Sequence, residues 1–320
     1  MRAVWLDRYV QPGEIAVRDV PDPEPGDGDV LVRLLASAIN PSDVKYAAGV
    51  VQNTTLPRIP GRDFAGIVER GPAHLIGASV CGTGGDLGIT RHGAHAELIS
   101  VPAGAVAVMP STLTMVQAAA VGVPYVTAYK ALVEIAVIQA GESVLLIGAS
   151  GAVGSAAGQI AKGAGCTVIG TSRRAEELQS LKSYVDVVVS PHSEDVTHAA
   201  LIATDGRGAA VVFNMVGGET FEPGVRALAE HGRMVCIAAS GEHRVSFDLM
   251  AFYKRQLRWF GLDTLELSAS DCRPILDLLL PGFEDGRFRV RVGSAMPLER
   301  ASEAYALVAA GDAGKVVLTM

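Results

Sequence analysis

The chain has 320 residues, enough for two domains at roughly 100–200 residues each. Hydrophobic residues make up 49% and charged residues 19%, a balance that excludes disorder as the main state. With 27 Lys and Arg against 34 Asp and Glu, the net charge is −7, so a nucleic-acid-binding surface is not expected.

The first residues, Met1-Arg2-Ala3-Val4-Trp5-Leu6-Asp7-Arg8, interrupt their apolar run with charge and do not read as a signal peptide. Residues 17–20 and 30–35 read as strands on either side of a Pro/Gly/Asp-rich turn at 21–28. Alternation in the second strand is ragged, as in a strand buried on both faces. Further strands are expected at 66–69 and 96–101, separated by glycine-rich irregular segments such as 82–88. This part reads as a β-rich or α+β domain. From about residue 112 to Gly141 the sequence is Ala-rich and helical, with a break expected at Pro124. Strands then alternate with helices: strand 144–147, helix 153–162, strand 167–169, helix 175–183, strands 185–189 and 211–213, helix 221–229, strand 234–237. That alternation predicts βαβ units and a parallel sheet covered on both faces. After about Leu262 the order is helix, strand, helix, strand.

Cys81, Cys166, Cys236 and Cys272 lie far apart with no CxxC pair, which suits a reducing, cytoplasmic location. The charge-free stretch 143–161 has the length of a membrane span, but its four glycines and three serines make it a strand, a turn and a helix. No membrane association is expected.

That stretch holds the most informative motif, Val144-Leu145-Leu146-Ile147-Gly148-Ala149-Ser150-Gly151-Ala152-Val153-Gly154. It is strand, glycine turn, helix, with GxxGxxG spacing. A dinucleotide pyrophosphate needs a tight turn, close backbone approach and a helix N-terminus whose free N–H groups favour an anion. Gly148, Ser150, Gly151, Ala152, Val153 and Gly154 are therefore candidate cofactor contacts. The competing reading, that the glycines only allow close helix packing, is weakened by the βαβ context on both sides. An NAD site usually carries an acid at the end of the second strand. Here that strand runs into Ser172-Arg173-Arg174, and arginine suits a 2′-phosphate. NADPH is the expected cofactor, although the arginines could instead sit on a solvated loop beside Glu176 and Glu177.

Several segments in order, Ala38-Ile39-Asn40-Pro41-Ser42-Asp43, Gly61-Arg62-Asp63-Phe64-Ala65-Gly66-Ile67-Val68, Gly93-Ala94-His95-Ala96-Glu97, residues 118–132 and Gly314-Lys315-Val316-Val317-Leu318, carry a family likeness. With the glycine turn, they make the chain resemble the zinc-independent quinone oxidoreductases (zeta-crystallin-like) of the medium-chain dehydrogenase/reductase superfamily. The resemblance covers nearly the whole chain. It implies an α/β protein with a GroES-like β-rich catalytic domain over 1–120 and 263–320, and a doubly wound Rossmann domain over 121–262. The zinc branch of the superfamily has a Cys near Asn40-Pro41-Ser42-Asp43 and Gly-His-Glu where this chain has Gly61-Arg62-Asp63; neither ligand is present. An improvised metal site of Cys81, His92 and His95 is less favoured than plain loop histidines.

The resemblance implies hydride transfer from NADPH to quinones or conjugated carbonyl compounds such as enones, in a homodimer. It places Asn40 and Thr127 beside nicotinamide and substrate. Asn40 could equally be a turn residue before Pro41, and Asp43 is well suited to capping the next helix. Tyr46, Lys45 or water is left to supply the proton, and Tyr46 could equally be an idle surface residue. By position in the family pattern, Asn214, Val216, Gly217, Ala238, Ala239, Ser240 and Lys315 are further cofactor contacts. Two other readings stay open: an enoyl-thioester reductase acting on carrier-bound acyl chains, and a non-catalytic NADPH-binding protein. Residues 258–262 read as an apolar edge strand, to be paired in a dimer or covered by a loop or helix.

Overall fold

The computed structural model describes residues 1–50, 54–173, 178–311 and 314–320. Two compact units divide the chain: Met1–Val126 with Thr264–Met320, and Thr127–Asp263.

The first unit opens with an antiparallel pair, β1 (Arg2–Val4) and β2 (Val17–Asp19). Its main sheet is organised on β3 (Asp29–Ile39). That strand pairs with β4 (Asp63–Arg70) along most of its length, and with β6 (Leu98–Pro102) along its first half. β5 (Ser79–Gly82) and β7 (Ala107–Val108) extend the sheet beyond β4. Register shifts interrupt the pairing of β3 with β4 at Leu31/Val32, where β4 carries the extra residue, and at Leu34/Ala36, where β3 does. β3 lacks clean alternation because Leu31 and Ile39 are buried as well as Val30, Val32 and Leu34. Val30, Val32, Leu34, Phe64 and Val80 form one core there.

Helix α1 (Pro41–Ala47) follows β3, α2 (Met115–Ala118) is capped by Thr114, and α3 (Gly122–Tyr129) continues from it after a short interruption. The break expected at Pro124 falls earlier, at residues 119–121. Pro124 is the third residue of α3, where a backbone N–H would have no intrahelical acceptor, so proline is accommodated without breaking the helix. A π-helical stretch, Lys130–Ile135, comes next.

The second unit is β8 (Ser143–Ile147), α4 (Ala152–Gly163), β9 (Thr167–Thr171), α5 (Leu178–Leu181), β10 (Val187–Val189), α6 (Val196–Ala203), β11 (Ala209–Asn214), α7 (Phe221–Ala227), β12 (Leu228–Cys236), α8 (Leu249–Lys254) and β13 (Arg258–Gly261). The strands are all parallel, in the order β10-β9-β8-β11-β12-β13. Strand order therefore reverses between β8 and β11, the crevice position where doubly wound sheets bind ligands. Leu145, Ile147, Ile169, Val212 and Met234 centre the core. The helix expected over 221–229 ends at Ala227, because β12 begins at the next residue. Arg233 on β12 ties the unit's start together. Its guanidinium donates to both carboxylate oxygens of Glu142, at 2.9 and 2.7 Å, and to the carbonyls of Ala136 and Val137.

The chain then returns to the first unit as α9 (Ala269–Leu279), α10 (Pro281–Glu284), β14 (Ser294–Pro297), α11 (Ala301–Ala310) and β15 (Val316–Thr319). β15 enters the interior of the main sheet, parallel to β14 and antiparallel to the second half of β3. No helix among the described residues is long and apolar enough to cross a membrane.

Candidate active site

In the second unit the glycine turn is tied to the neighbouring strand. Gly148 has φ +94° and its N–H donates to Thr171 Oγ1 at 3.1 Å; Ala149 N–H donates to the Thr171 carbonyl at 2.9 Å. A Cβ on Gly154 would lie 2.3 Å from the Gly148 carbonyl oxygen, so only glycine lets α4 start this close to the turn. Gly151 is the N-cap of α4, with Ala152 exposed and Val153 half-buried just inside it. First-turn N–H groups have no intrahelical acceptor and carry the positive end of the helix dipole.

The loops after β11 and β12 meet beside this turn. Asn214, fully buried at the end of β11, accepts through Oδ1 from the N–H groups of Val216 (3.0 Å) and Gly217 (2.9 Å) and from Thr220 Oγ1. Its Nδ2 has no acceptor among the described residues. A buried amide left unmatched is costly, and an acceptor on a bound group would satisfy it. Gly217 has φ +74° and a Cβ there would meet the Ala238 carbonyl oxygen at 2.1 Å, while Ser240 N–H donates to the Val216 carbonyl. Ala239 and Ser240 are exposed. The Val216 side chain in turn lies next to Gly148. Thus Gly148, Asn214, Val216, Gly217, Ala238 and Ser240 gather at the carboxyl ends of β8, β11 and β12. Ser172 is buried just past β9, and Arg173 is exposed beyond it. Arg174 lies outside the described residues. The donor set and the absent Cβ atoms fit a dinucleotide phosphate.

In the first unit, four donors converge on Asp63, which opens β4 and is fully buried. Asn40 Nδ2 (3.0 Å) and Lys315 Nζ (3.1 Å) approach Oδ2; Thr83 Oγ1 and the Val123 N–H, both at 2.7 Å, approach Oδ1. Burial alone pushes the Asp63 pKa up. The Lys315 charge, the hydrogen bonds from Thr83 and Asn40, and the Arg62 charge outweigh burial and leave it below the ordinary value. Lys315 Nζ also donates to Asn40 Oδ1 at 2.6 Å.

Asn40 occupies the N-cap position of α1, yet its side chain makes no capping bond. Asp43 serves that turn instead, accepting the Asn40 backbone N–H at 2.7 Å. The turn therefore leaves the Asn40 amide free for Asp63 and Lys315. Arg62, buried, lies 3.5 Å from Asp43 and donates to Ser42 Oγ. Tyr46, left open as an idle surface residue or a proton donor, is 4% exposed and so is not on the surface. Lys45 is exposed, and Thr127 is buried on α3 within the second unit.

His95, read as a loop histidine, is fully buried in its loop. Nδ1 pairs with Tyr305 Oη at 2.7 Å and Nε2 with the Ala38 carbonyl. Burial holds the His95 pKa down and pushes the Tyr305 phenol well up. His92 Nδ1 accepts the Ile59 N–H, and burial pushes the Cys81 thiol up to about 12. Among the described residues no group of three or more His, Cys, Asp or Glu is placed to hold a metal ion.

Asp63 is the residue that sequence reasoning passed over. An acid opening the apolar run Phe64-Ala65-Gly66-Ile67-Val68 was the available signal, since a buried charge requires partners.

A parallel sheet in this strand order, bearing a glycine turn at its switch point, defines a dinucleotide-type fold. The alcohol dehydrogenase GroES-like domain family matches residues 26–111, and the zinc-binding dehydrogenase family matches 152–280. A zinc-type alcohol dehydrogenase-like protein of Schizosaccharomyces pombe is 38% identical over 296 residues, covering 91% of this chain and 87% of its own. Quinone oxidoreductase of Lama guanicoe is 31% identical over 330 residues, covering 100% of this chain and 98% of its own. A solved NAD-dependent alcohol dehydrogenase superposes with a TM-score of 0.92 at 31% identity, covering 100% of both chains. The chain belongs to the medium-chain dehydrogenase/reductase superfamily, in its zeta-crystallin-like branch, and is an oxidoreductase of that superfamily.

Proposed function

We propose that the protein is a zinc-independent, NADPH-dependent reductase of quinones and other conjugated carbonyl compounds, such as enones. The observation that carries this reading is the Asn40 amide, held between Asp63 and Lys315 in a chain that resembles the zinc branch but lacks its Cys near Asn40-Pro41-Ser42-Asp43 and its Gly-His-Glu at Gly61-Arg62-Asp63. Such a site offers a neutral hydrogen-bond donor instead of a Lewis acid, which suits a substrate that accepts hydride unaided.

Bound NADPH supplies the hydride. The chain's part is to bind, orient and donate. Gly148, Ser150, Gly151, Ala152, Val153 and Gly154 cradle the pyrophosphate, and Ser172, Arg173 and Arg174 receive the 2′-phosphate. Asn214, Val216, Gly217, Ala238, Ala239 and Ser240 line the nicotinamide end. Of the two hydrogens on Asn40 Nδ2, one is held by Asp63; the other is available to the carbonyl oxygen on which negative charge collects. Thr127 orients the reacting groups, and Tyr46, Lys45 or water returns the proton. A homodimer and a cytoplasmic location complete the reading. The dimer is supported by β13 at the sheet edge and by the exposed Leu249, Met250 and Tyr253 on α8.

The test is turnover of purified protein with NADPH and, separately, NADH, against an ortho-quinone, a para-quinone and an enone ketone. Turnover favouring NADPH is expected, with the preference shrinking in Arg173→Ala. Tight binding of NADPH with no turnover of any acceptor would overturn the reading in favour of a binding protein.

A further inference from the structure

The Asn40 carboxamide lies between two opposite charges. Its Nδ2 is 3.0 Å from the Asp63 carboxylate and its Oδ1 is 2.6 Å from the Lys315 ammonium. A carboxylate only accepts and an ammonium only donates. If the amide were rotated by half a turn, oxygen would face carboxylate and N–H would face ammonium, and both contacts would be lost. The two charges also touch each other, Lys315 Nζ to Asp63 Oδ2 at 3.1 Å, and all three side chains are at most 6% exposed.

We infer that the Asp63–Lys315 pair is a positioning device that locks the Asn40 amide in one orientation, making it a directed hydrogen-bond donor for an acceptor oxygen on the substrate. This rests on the reading above, in which Asn40 meets the substrate. The pair carries no net charge, so the device adds orientation without adding charge to the site. A substrate presenting a hydroxyl hydrogen would have to share Oδ1 with the ammonium. The lock thus favours carbonyl over alcohol at this position.

Orientation and field predict different signs. If only local charge mattered, Asp63→Asn would make the site more positive and speed formation of a developing oxyanion, while Lys315→Met would slow it. If the pair positions Asn40, both substitutions lower kcat by about tenfold or more with KM for the acceptor little changed, and Lys315→Arg stays within about threefold of wild type. Asp63→Asn at or above the wild-type kcat overturns the proposal, as do two folded variants that leave kcat unchanged.

A second measurement does not need turnover or the variants of Asp63. The side-chain 15N–1H resonances of Asn40 are identified by their loss in Asn40→Asp. One of the two Nδ2 protons is expected to be strongly protected from solvent exchange in wild type. Rapid exchange of both protons with solvent would overturn the lock even in an active enzyme. If wild type reduces no acceptor, the functional reading fails while these resonances still decide whether the amide is locked.

Discussion

Asp63 draws its partners from four separate stretches of chain: Asn40, Thr83, Val123 and Lys315. A carboxyl whose folded pKa sits below its unfolded value of about 3.8 stabilises the fold at pH above that figure. That share is lost as pH falls through 3.8 toward the folded value. Urea midpoints measured from about pH 7 down to about pH 3 are therefore expected to fall less steeply in Asp63→Asn than in wild type. Equal slopes would mean that folding leaves the Asp63 pKa unshifted, and a steeper fall in Asp63→Asn would mean that the carboxyl is held neutral. Little of this was legible beforehand. Asn40 could be picked out from its loop and its family likeness, but the pairing of Asp63 with Lys315 spans 252 positions and leaves no periodic trace. His95 and Tyr305, 210 positions apart, are hidden for the same reason.

Among elements, the strand, turn and helix from β8 to α4 were the most readable, because everything the turn requires lies within eleven consecutive residues. Gly154→Ala sets a methyl against the Gly148 carbonyl oxygen and the Ala149 backbone, neither of which can yield cheaply. About tenfold weaker NADPH binding or more is expected, read by fluorescence titration; unchanged affinity would remove the turn from the cofactor site. Arg233 anchors β12 to the start of the same unit. Removing it strands Glu142, which is partly solvated, so Arg233→Met should cost toward the lower end of roughly 3–5 kcal/mol in thermal or urea unfolding. A loss under about 1 kcal/mol would show the clamp to be incidental. Helix boundaries were harder to read than strand order. Pro124 was expected to break a helix, but the same residue is harmless in a first turn, and only the structure reveals where the turn begins.

At the scale of the molecule, the α/β class with a GroES-like part and a doubly wound sheet was legible from the switch of hydrophobic period near the middle of the chain and from the family likeness. The role of the tail was less so, since four residues of β15 cannot announce that they belong in the middle of a sheet. The zinc-free reading predicts that dialysis against a chelator changes neither Tm nor turnover, and no cluster of three or more His, Cys, Asp or Glu among the described residues is placed to hold a metal ion. Activity that disappears and returns with zinc would sink the zinc-free reading.

The position of β15 also governs the order of events during synthesis. Residues 127–263 contain every strand of the parallel sheet, while residues 1–126 lack the strand that pairs with Ala36–Ile39 until the tail is made. Until that strand is made, β3 keeps an open edge of the kind that recruits other chains, and Asp63 has no lysine beside it. Nascent chains halted before residue 316 should therefore be protease-sensitive in their first 126 residues and protected in the middle segment. The part of the molecule translated first would be the last to become native.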